Sequence, residues 1–209
     1  MRTRIVALVG ADGAGKSTQA ERLASRLQAS GHRTRRVRPV FLLFDPWKLG
    51  TSPQRGLSPR RARLHGSADG RNASRSKTAV RALAGYLYAM LCYAYLRTFL
   101  RKEEYVVCDR YFYQYFYDIS GQWAATFARS FPRPDVVYWL DAPANLLRSR
   151  IEKLPNGHEP REYLDAVVRY YRAVALELGF VQIDASAAAG TVEETIWNNL
   201  MRRAGPFEA

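Results

Sequence analysis

Short apolar runs alternate with amphipathic stretches along most of the chain. Runs of strand character, in which β-branched residues are frequent, cover 4–9, 33–44, 105–109, 134–141 and 180–184. Apolar residues at helical spacing predict helices over 15–29, 79–101, 143–154, 163–178 and 191–203, with a further helical region over 112–130. Strands that alternate with helices predict an α/β fold, with a parallel sheet flanked by helices on both faces. The length of 209 residues fits one domain.

Two stretches depart from this alternation. Residues 50–78 are rich in glycine, serine, proline and arginine and lack an apolar period, which predicts a flexible loop. Such a loop is either a solvated insert or a segment that closes over a phosphate ligand or contacts nucleic acid. Residues 79–100 form the longest apolar stretch. Arg81 and Arg97 leave about fifteen residues between them, fewer than the roughly 20 that a spanning helix needs. We therefore predict a buried or interface helix here and no membrane span.

The charge of the chain favours anionic partners. The net charge is +13, with 27 arginines and five lysines. Guanidinium groups bind phosphate through two parallel hydrogen bonds, although an arginine-rich genome explains the excess equally well. The two cysteines, Cys92 and Cys108, show no metal or disulfide spacing, and the N-terminus shows no signal peptide, so we expect a cytoplasmic setting.

The motif with the clearest chemistry is GADGAGKST at 10–18, which matches G-x-x-x-x-G-K-[ST] between a predicted strand and a predicted helix. In such a phosphate loop the backbone N–H groups and the helix N-terminus surround phosphate oxygens. The motif makes Lys16 the cation of the β and γ phosphates and Ser17 a ligand of Mg²⁺. The predicted nucleotide-binding residues of the loop are Gly10, Asp12, Gly13, Ala14, Gly15, Lys16, Ser17 and Thr18.

The rest of the chain favours a kinase among phosphate-loop proteins. No N-K-x-D motif for guanine is present, and 209 residues leave little room for motor modules. Asp109 ends a buried strand, where it could hold Mg²⁺ or orient the acceptor, and Arg110 beside it could bind an acceptor phosphate. Basic residues around the turn at 155–161 predict a lid that places a catalytic cation on the transferred group. These residues are Arg148, Arg150, Lys153 and Arg161.

Six aromatic residues lie between Tyr111 and Tyr117, interrupted only by Gln114. At helical spacing they form two faces, and we expect one to pack on the sheet and the other to stack on a base or ring. Tyr111, Tyr113 and Gln114 are therefore candidate substrate-binding residues.

Four segments together resemble the thymidylate kinase family of phosphate-loop nucleotide kinases: GADGAGKSTQ at 10–19, VVCDRY at 106–111, VVYWLDAPANLLRSRI at 136–151 and VQIDASAAAGTVEETI at 181–196. The resemblance implies a five-stranded parallel sheet, Mg·ATP as donor and a homodimer with the 79–101 helix at or near the interface. It also implies that Asp12 lies near the acceptor sugar, that Arg110 binds the acceptor phosphate, and that Ala185 and Ser186 border the adenine. Because the loop has Gly13 where some members have arginine, the resemblance makes a lid arginine (Arg148, Arg150 or Arg161) the catalytic cation.

The acceptor side departs from the family. FYQYFYD follows DRY in place of a serine-rich stretch, FLLFDPWKLG replaces the arginine-glutamate-proline-glycine segment, and Tyr86 and Tyr88 lie where an arginine is expected. FDPW at 44–47 and PREYLD at 160–165 resemble deoxynucleoside kinases instead, in which Asp45 would be the base for a sugar hydroxyl. The leading prediction is phosphoryl transfer from ATP to a nucleoside monophosphate such as dTMP. The alternatives are a kinase of nucleoside or other hydroxyl groups, and a nucleotide-binding regulator or nucleic-acid-associated ATPase.

Overall fold

The computed structural model describes residues 2–43, 75–153 and 159–204; of 75–78, Gln122 and Ala204 only the backbone is described. The strands are β1 Arg4–Val9, β2 Thr34–Val37, β3 Tyr105–Asp109, β4 Val136–Asp141 and β5 Val181–Asp184. The α-helices are α1 Lys16–Ala29, α2 Arg75–Phe99, α3 Phe112–Ser120, α4 Ala124–Ser130, α5 Ala144–Glu152, α6 Arg161–Leu178 and α7 Ala189–Ala204. Short 3₁₀ helices cover Pro39–Phe41 and Gly121–Trp123.

The five strands form one parallel sheet in the order β2-β3-β1-β4-β5, which confirms the predicted α/β fold. Within β1 and β3, every residue from Ile5 to Val9 and from Tyr105 to Asp109 is buried, because helices cover both faces of these central strands. β1 and β3 are neighbours, and Leu8 is in register with Asp109. The loop after β1 and the residues after β3 therefore meet at the same edge, where ligands bind in open parallel sheets.

The second strand is shorter than predicted. The sequence predicted a strand over 33–44, but β2 ends at Val37, and Pro39 begins a 3₁₀ helix. The proline has no N–H for the sheet ladder and fixes its φ, so the chain turns there. The predicted loop over 50–78 was also too long, because α2 begins at Arg75.

The long helix α2 has two different faces. Its buried face includes Ala82, Tyr88 and Cys92, and a Cβ added to Gly85 would lie 2.3 Å from Ile119 Cδ1 on α3, so the two helices are closely packed there. Its other face exposes the large apolar residues Val80, Leu83, Leu87, Leu91 and Phe99. The segment Ala79–Phe99 is long and apolar enough to cross a membrane. One helix of this kind is weak evidence for a membrane span, because core helices of soluble proteins have the same length and composition.

Candidate active site

The phosphate loop connects β1 to α1 and depends on glycines at two close approaches. Gly10 has φ +142°, and a Cβ there would lie 2.5 Å from the Leu140 carbonyl oxygen at the end of β4. Gly13 has φ +82°, and a Cβ there would lie 2.6 Å from the Leu147 carbonyl oxygen on α5. Any side chain at position 13 would therefore collide with α5, which gives a physical reason for the absence of an arginine at this position.

The end of the loop forms the start of α1. Gly15 is the N-cap with φ 85° and accepts a hydrogen bond from the Gln19 amide at 3.0 Å. Ala14 is buried and donates its amide to the Ala11 carbonyl at 3.3 Å, while Thr18 is exposed. The first turn of α1 contains no acidic residue, so its N–H groups and positive dipole remain suited to an anion.

Lys16 is held inside the loop. Its side chain is 3% exposed, and Nζ donates to the Ala11 carbonyl at 2.6 Å and to Asp12 Oδ1 at 3.3 Å. A cation at the rim of a helix N-terminus is the group that phosphoryl transfer requires at the β and γ phosphates. Lys16 therefore lies inside the loop, and its role toward the β and γ phosphates stays a prediction.

Ser17 and Asp109 meet where the sequence predicted a metal site. The Ser17 hydroxyl donates to Asp109 Oδ1 at 3.0 Å, and Asp109 is fully buried at the end of β3. Both groups supply hard oxygen ligands, and a buried carboxylate beside a phosphate loop fits Mg²⁺, which in such sites takes one or two protein oxygens and the rest from phosphates and water. Among the described residues, no group of three or more His, Cys, Asp or Glu side chains is arranged so that it could hold a metal ion.

Arg38, which the sequence analysis did not single out, completes this cluster. Its Nε donates to Asp109 Oδ2 at 2.8 Å, and its Nη2 donates to the Ser17 hydroxyl oxygen at 3.1 Å. The predicted strand over 33–44 gave no reason to place one arginine of the run on this carboxylate. The turn at Pro39, which ends β2 at the level of Cys108, brings Arg38 to this edge of the sheet.

Arg110 directly follows Asp109 and has an unusual backbone. Its φ is 77°, and it is the only non-glycine residue with positive φ within the described ranges. Such a conformation costs about 1–2 kcal/mol for a residue with a side chain. It is held by the bond from the Arg110 amide to the Leu8 carbonyl at 3.1 Å. Strained residues of this kind concentrate at functional sites.

The Arg110 guanidinium faces the phosphate loop. Its Nη2 donates to Asp12 Oδ1 at 2.7 Å, and its Nη1 lies 3.8 Å from Asp109 Oδ1. Burial alone would lower the pKa of Arg110, but the carboxylates of Asp12 and Asp109 more than offset it and raise the pKa above its ordinary value. The structure thus brings together the predicted residues Asp12, Asp109 and Arg110 as one charged cluster.

Tyr171 of α6 lies against this cluster, whereas the sequence predicted only that it belongs to a helix over 163–178. Burial raises the pKa of its phenol well above the ordinary value, although a hydrogen bond with the Gly10 backbone and the charge of Arg110 both favour the ionised form. The negative charges of Asp12 and Asp118 also raise the pKa of this phenol. Tyr171 therefore lies within electrostatic reach of both the phosphate loop and the helix α3.

The aromatic segment is more deeply buried than predicted. All nine residues of α3 are buried, so both faces of the helix are covered and the expected free aromatic face is absent. Tyr111 donates to the Pro132 carbonyl at 2.8 Å and packs on Phe131. Tyr113 is fully buried and packs on Phe180. A role for these tyrosines in substrate binding stays a prediction.

Gln114 belongs to a buried polar chain between α3 and α6. Its Nε2 donates to the Tyr163 hydroxyl at 3.2 Å, and that hydroxyl donates to Asp118 Oδ1 at 2.6 Å. The Oε1 of Gln114 is buried and has no hydrogen-bond partner within the described part of the protein. Buried amide oxygens are rarely left without a donor, so this atom is suited to a ligand.

The three lid arginines have different surroundings. Arg150 on α5 donates through Nη1 to the Ala185 carbonyl at 2.8 Å, so it connects the lid helix to the segment after β5. Arg161 lies 4.0 Å from Asp165 on its own helix and is largely exposed. Arg148 is half-buried on α5, next to the Leu147 carbonyl that approaches Gly13.

The segment after β5 forms a tight turn. The Ala185 amide donates to the Asp141 carbonyl at 2.7 Å, and Ser186 donates through its amide and its hydroxyl to Asp184 Oδ1 at 2.8 and 2.5 Å. These two hydrogen bonds lower the pKa of Asp184 below its ordinary value. Asp45, most of the 50–78 segment and the lid turn at 154–158 lie outside the described residues.

No protein-family model matches the chain. A probable thymidylate kinase of Thermococcus gammatolerans is 30% identical over 176 residues, which cover 81% of this chain and 78% of that protein. The chain belongs to the thymidylate kinase family.

Two other relatives of this family show the same relationship. The thymidylate kinase of Xanthomonas euvesicatoria is 29% identical over 202 residues, covering 90% of this chain and 79% of that protein. A probable thymidylate kinase of Sulfurisphaera tokodaii is 34% identical over 92 residues, and this match spans 48% of that protein. Membership of the thymidylate kinase family makes the protein an ATP-dependent nucleotide kinase, as the phosphate loop predicted, and does not favour the regulator or the hydroxyl kinase.

Proposed function

We propose that this enzyme transfers the γ-phosphoryl group of ATP to dTMP. The observation that supports the proposal most strongly is the pairing of a phosphate loop with Arg110, which is held on Asp12 at 2.7 Å beside the loop. A cation in this position can bind a second phosphorylated molecule next to the donor phosphates. The relatives named thymidylate kinase make dTMP the first acceptor to test.

On the donor side, Lys16 and the loop N–H groups would bind the β and γ phosphates. Ser17 and Asp109 would hold Mg²⁺, which when bound neutralises charge on the phosphate oxygens. Residues from Gly10 to Thr18 surround the phosphates, and Ala185 and Ser186 border the adenine. Asp109, being fully buried, keeps its carboxylate fixed at the strand end while the nucleotide binds.

On the acceptor side, Arg110 would bind the acceptor phosphate and Asp12 would orient both Arg110 and the sugar. A phosphate acceptor needs no general base, so the proposed reaction does not require Asp45 to act as one. The charge of Arg110 is secure, because its neighbouring carboxylates hold its pKa above the ordinary value.

Gln114 is the residue that we propose for reading the base. Tyr163 holds its Nε2, which leaves the buried Oε1 to accept a hydrogen bond. The N3–H of thymine is a donor of the required kind, and a site built to receive a donor rejects bases that lack one. Tyr111 and Tyr113 would support the position of Gln114 through the packing of α3.

Among the lid arginines, Arg148 is the one that we propose for the transition-state charge. Arg150 is bonded to Ala185 and is better placed to hold the adenine segment, while Arg161 lies beside Asp165. The Leu147 carbonyl of α5 approaches Gly13 of the phosphate loop, and Arg148 is the next residue of that helix. Arg148→Ala should therefore lower kcat more than either Arg150→Ala or Arg161→Ala does.

The exposed apolar face of α2 is the surface that we propose for a homodimer in the cytoplasm. Val80, Leu83, Leu87 and Leu91 lie along one face, and each is more than half exposed. Apolar faces of this extent on a helix mark contacts with another surface. Analytical ultracentrifugation of the wild type and of Leu87→Glu distinguishes a dimer from a monomer.

The acceptor is tested by measuring ADP release from Mg·ATP with dTMP, dUMP, dCMP, AMP, thymidine and sugars in parallel. We expect the highest kcat/KM with dTMP. Turnover of thymidine or a sugar without turnover of nucleoside monophosphates would contradict the proposal and identify a hydroxyl acceptor. Gln114→Leu should raise the KM for dTMP and leave the KM for ATP unchanged.

A further inference from the structure

Arg38 contacts both of the residues that would hold the metal. One donor of its guanidinium reaches Asp109 Oδ2 at 2.8 Å and a second reaches the Ser17 hydroxyl oxygen at 3.1 Å. We propose that Arg38 competes with Mg²⁺ for Ser17 and Asp109, so that the metal site opens only when a nucleotide arrives with the metal.

The competition follows from the atoms involved. Ser17 donates its proton to Asp109 and accepts from Arg38, so Arg38 takes one of the two lone pairs that the hydroxyl oxygen could offer to a metal. A metal ligand must offer a lone pair, and Mg²⁺ requires near-octahedral geometry at short distances. A guanidinium and a dication on the same carboxylate would also lie a few ångströms apart and repel one another.

Arg38 is the partner that can leave. Its side chain is 51% exposed, whereas Asp109 is fully buried. Arg38 lies between the end of β2, an edge strand, and Pro39, with an extended backbone at φ −112° and ψ 95°. Its side chain can therefore turn into solvent, while Asp109 stays in place to receive a metal.

The nucleotide supplies the charge that changes the balance. The site contains three cations, Lys16, Arg38 and Arg110, close to two carboxylates, Asp12 and Asp109. Free Mg²⁺ would add to an excess of positive charge, whereas Mg²⁺ with a triphosphate brings net negative charge. We therefore expect weak binding of free metal and strong binding of the metal–nucleotide complex. This inference depends on the phosphate loop and not on the identity of the acceptor.

The test measures metal binding rather than turnover. Mn²⁺ binding to the nucleotide-free enzyme is followed by electron paramagnetic resonance in the wild type, Arg38→Gln, Arg38→Lys and Arg35→Gln. Arg35 is an exposed arginine of β2 without a recorded bond to Ser17 or Asp109, so Arg35→Gln controls for the loss of one positive charge. We expect Arg38→Gln to bind Mn²⁺ about three- to tenfold more tightly, because removal of a half-exposed cation a few ångströms from the metal has an effect of this order. Arg38→Lys should remain close to the wild type.

Thermal unfolding gives a second measurement. If Arg38 had a merely structural role, added Mg²⁺ would not stabilise Arg38→Gln more than the wild type. In a chelator, Arg38→Gln should unfold at a lower temperature than the wild type, because the buried Asp109 loses a partner. Added Mg²⁺ should then raise the unfolding temperature of Arg38→Gln by more than that of the wild type. An unchanged or weaker Mn²⁺ affinity in Arg38→Gln would overturn the proposal, as would an equal gain in Arg35→Gln. Neither result would bear on whether dTMP is the acceptor.

Discussion

The phosphate-loop end of the candidate site and its aromatic end, formed by α3 and α6, are built in different ways. At the phosphate-loop end, the groups proposed to bind the donor phosphates and the metal come from one short segment, Gly10–Thr18, and from Asp109 at a strand end. At the aromatic end, the polar groups belong to two helices, and Gln114 and Tyr163 lie 49 positions apart in the chain. The first end depends on backbone geometry and the second on buried side-chain hydrogen bonds. The difference implies that substitutions will affect ATP at one end and the acceptor at the other.

The largest effect that tests this comparison is expected for Lys16→Ala. Loss of the cation at the transferred group should lower kcat by a factor of about a thousand, since the removal of one electrostatic contact at a transition state has an effect of about 10²–10³. ADP release with saturating dTMP measures it. Lys102→Ala removes an exposed lysine and should leave kcat unchanged. Turnover retained in Lys16→Ala would contradict the roles proposed for the residues at the phosphate-loop end.

The backbone dependence of the phosphate-loop end is tested by Gly10→Ala. A Cβ at position 10 would lie 2.5 Å from the Leu140 carbonyl oxygen, and φ is +142°, so we expect a loss of about 3 kcal/mol or more in the free energy of unfolding. Urea denaturation measures it. Gly31→Ala is the matched control, because Gly31 has φ +86° but open space around the Cβ, which predicts a loss of only about 1–2 kcal/mol. Equal losses in the two variants would mean that the contact with β4 is unimportant.

These two substitutions act on residues that the sequence identified, and the reason is local. The phosphate loop was predictable because its positive φ angles fall on glycines, which adopt them without strain, such as Gly13 at φ +82°. Asp109 was predictable because an apolar run ended in a carboxylate. Arg38 and Tyr171 were missed because their importance comes from the turn at Pro39 and from the packing of α6. The composition of their own segments indicates neither.

The aromatic end is tested by Tyr163→Phe. The change removes the hydroxyl that donates to Asp118 and holds Gln114, so we expect a loss of about 1–3 kcal/mol in the free energy of unfolding. If Gln114 binds the base, the KM for dTMP should rise about fivefold, which corresponds to one hydrogen bond of about 1 kcal/mol. The KM for ATP should not change. Tyr86→Phe, which removes an exposed hydroxyl bond to the Ser130 carbonyl, is the control. A rise in the KM for ATP instead would show that the two ends are not separate.

The smallest expected effect completes the comparison from the donor side. Ser186→Ala removes a hydrogen bond to Asp184 at the turn proposed to border the adenine, so the KM for ATP should rise about twofold and the KM for dTMP should stay constant. The pKa of Asp184 should rise toward its ordinary value, which NMR titration of the carboxyl carbon measures. Ser130→Ala removes a serine bond within α4 and should change neither.

The sign of the accompanying pH effect follows from the lowered pKa of Asp184. A carboxylate whose pKa is depressed in the folded protein contributes stability above its unfolded-state pKa, and this contribution is lost as the pH falls through the folded value, below about pH 4. Ser186→Ala should therefore reduce the stability difference between pH 6 and pH 3 relative to the wild type. Because Asp184 is exposed, the reduction should be small. A large reduction, or a change in the KM for dTMP, would mean that this turn is coupled to the acceptor end through the body of the sheet. The division of the candidate site into two independent ends would then be wrong.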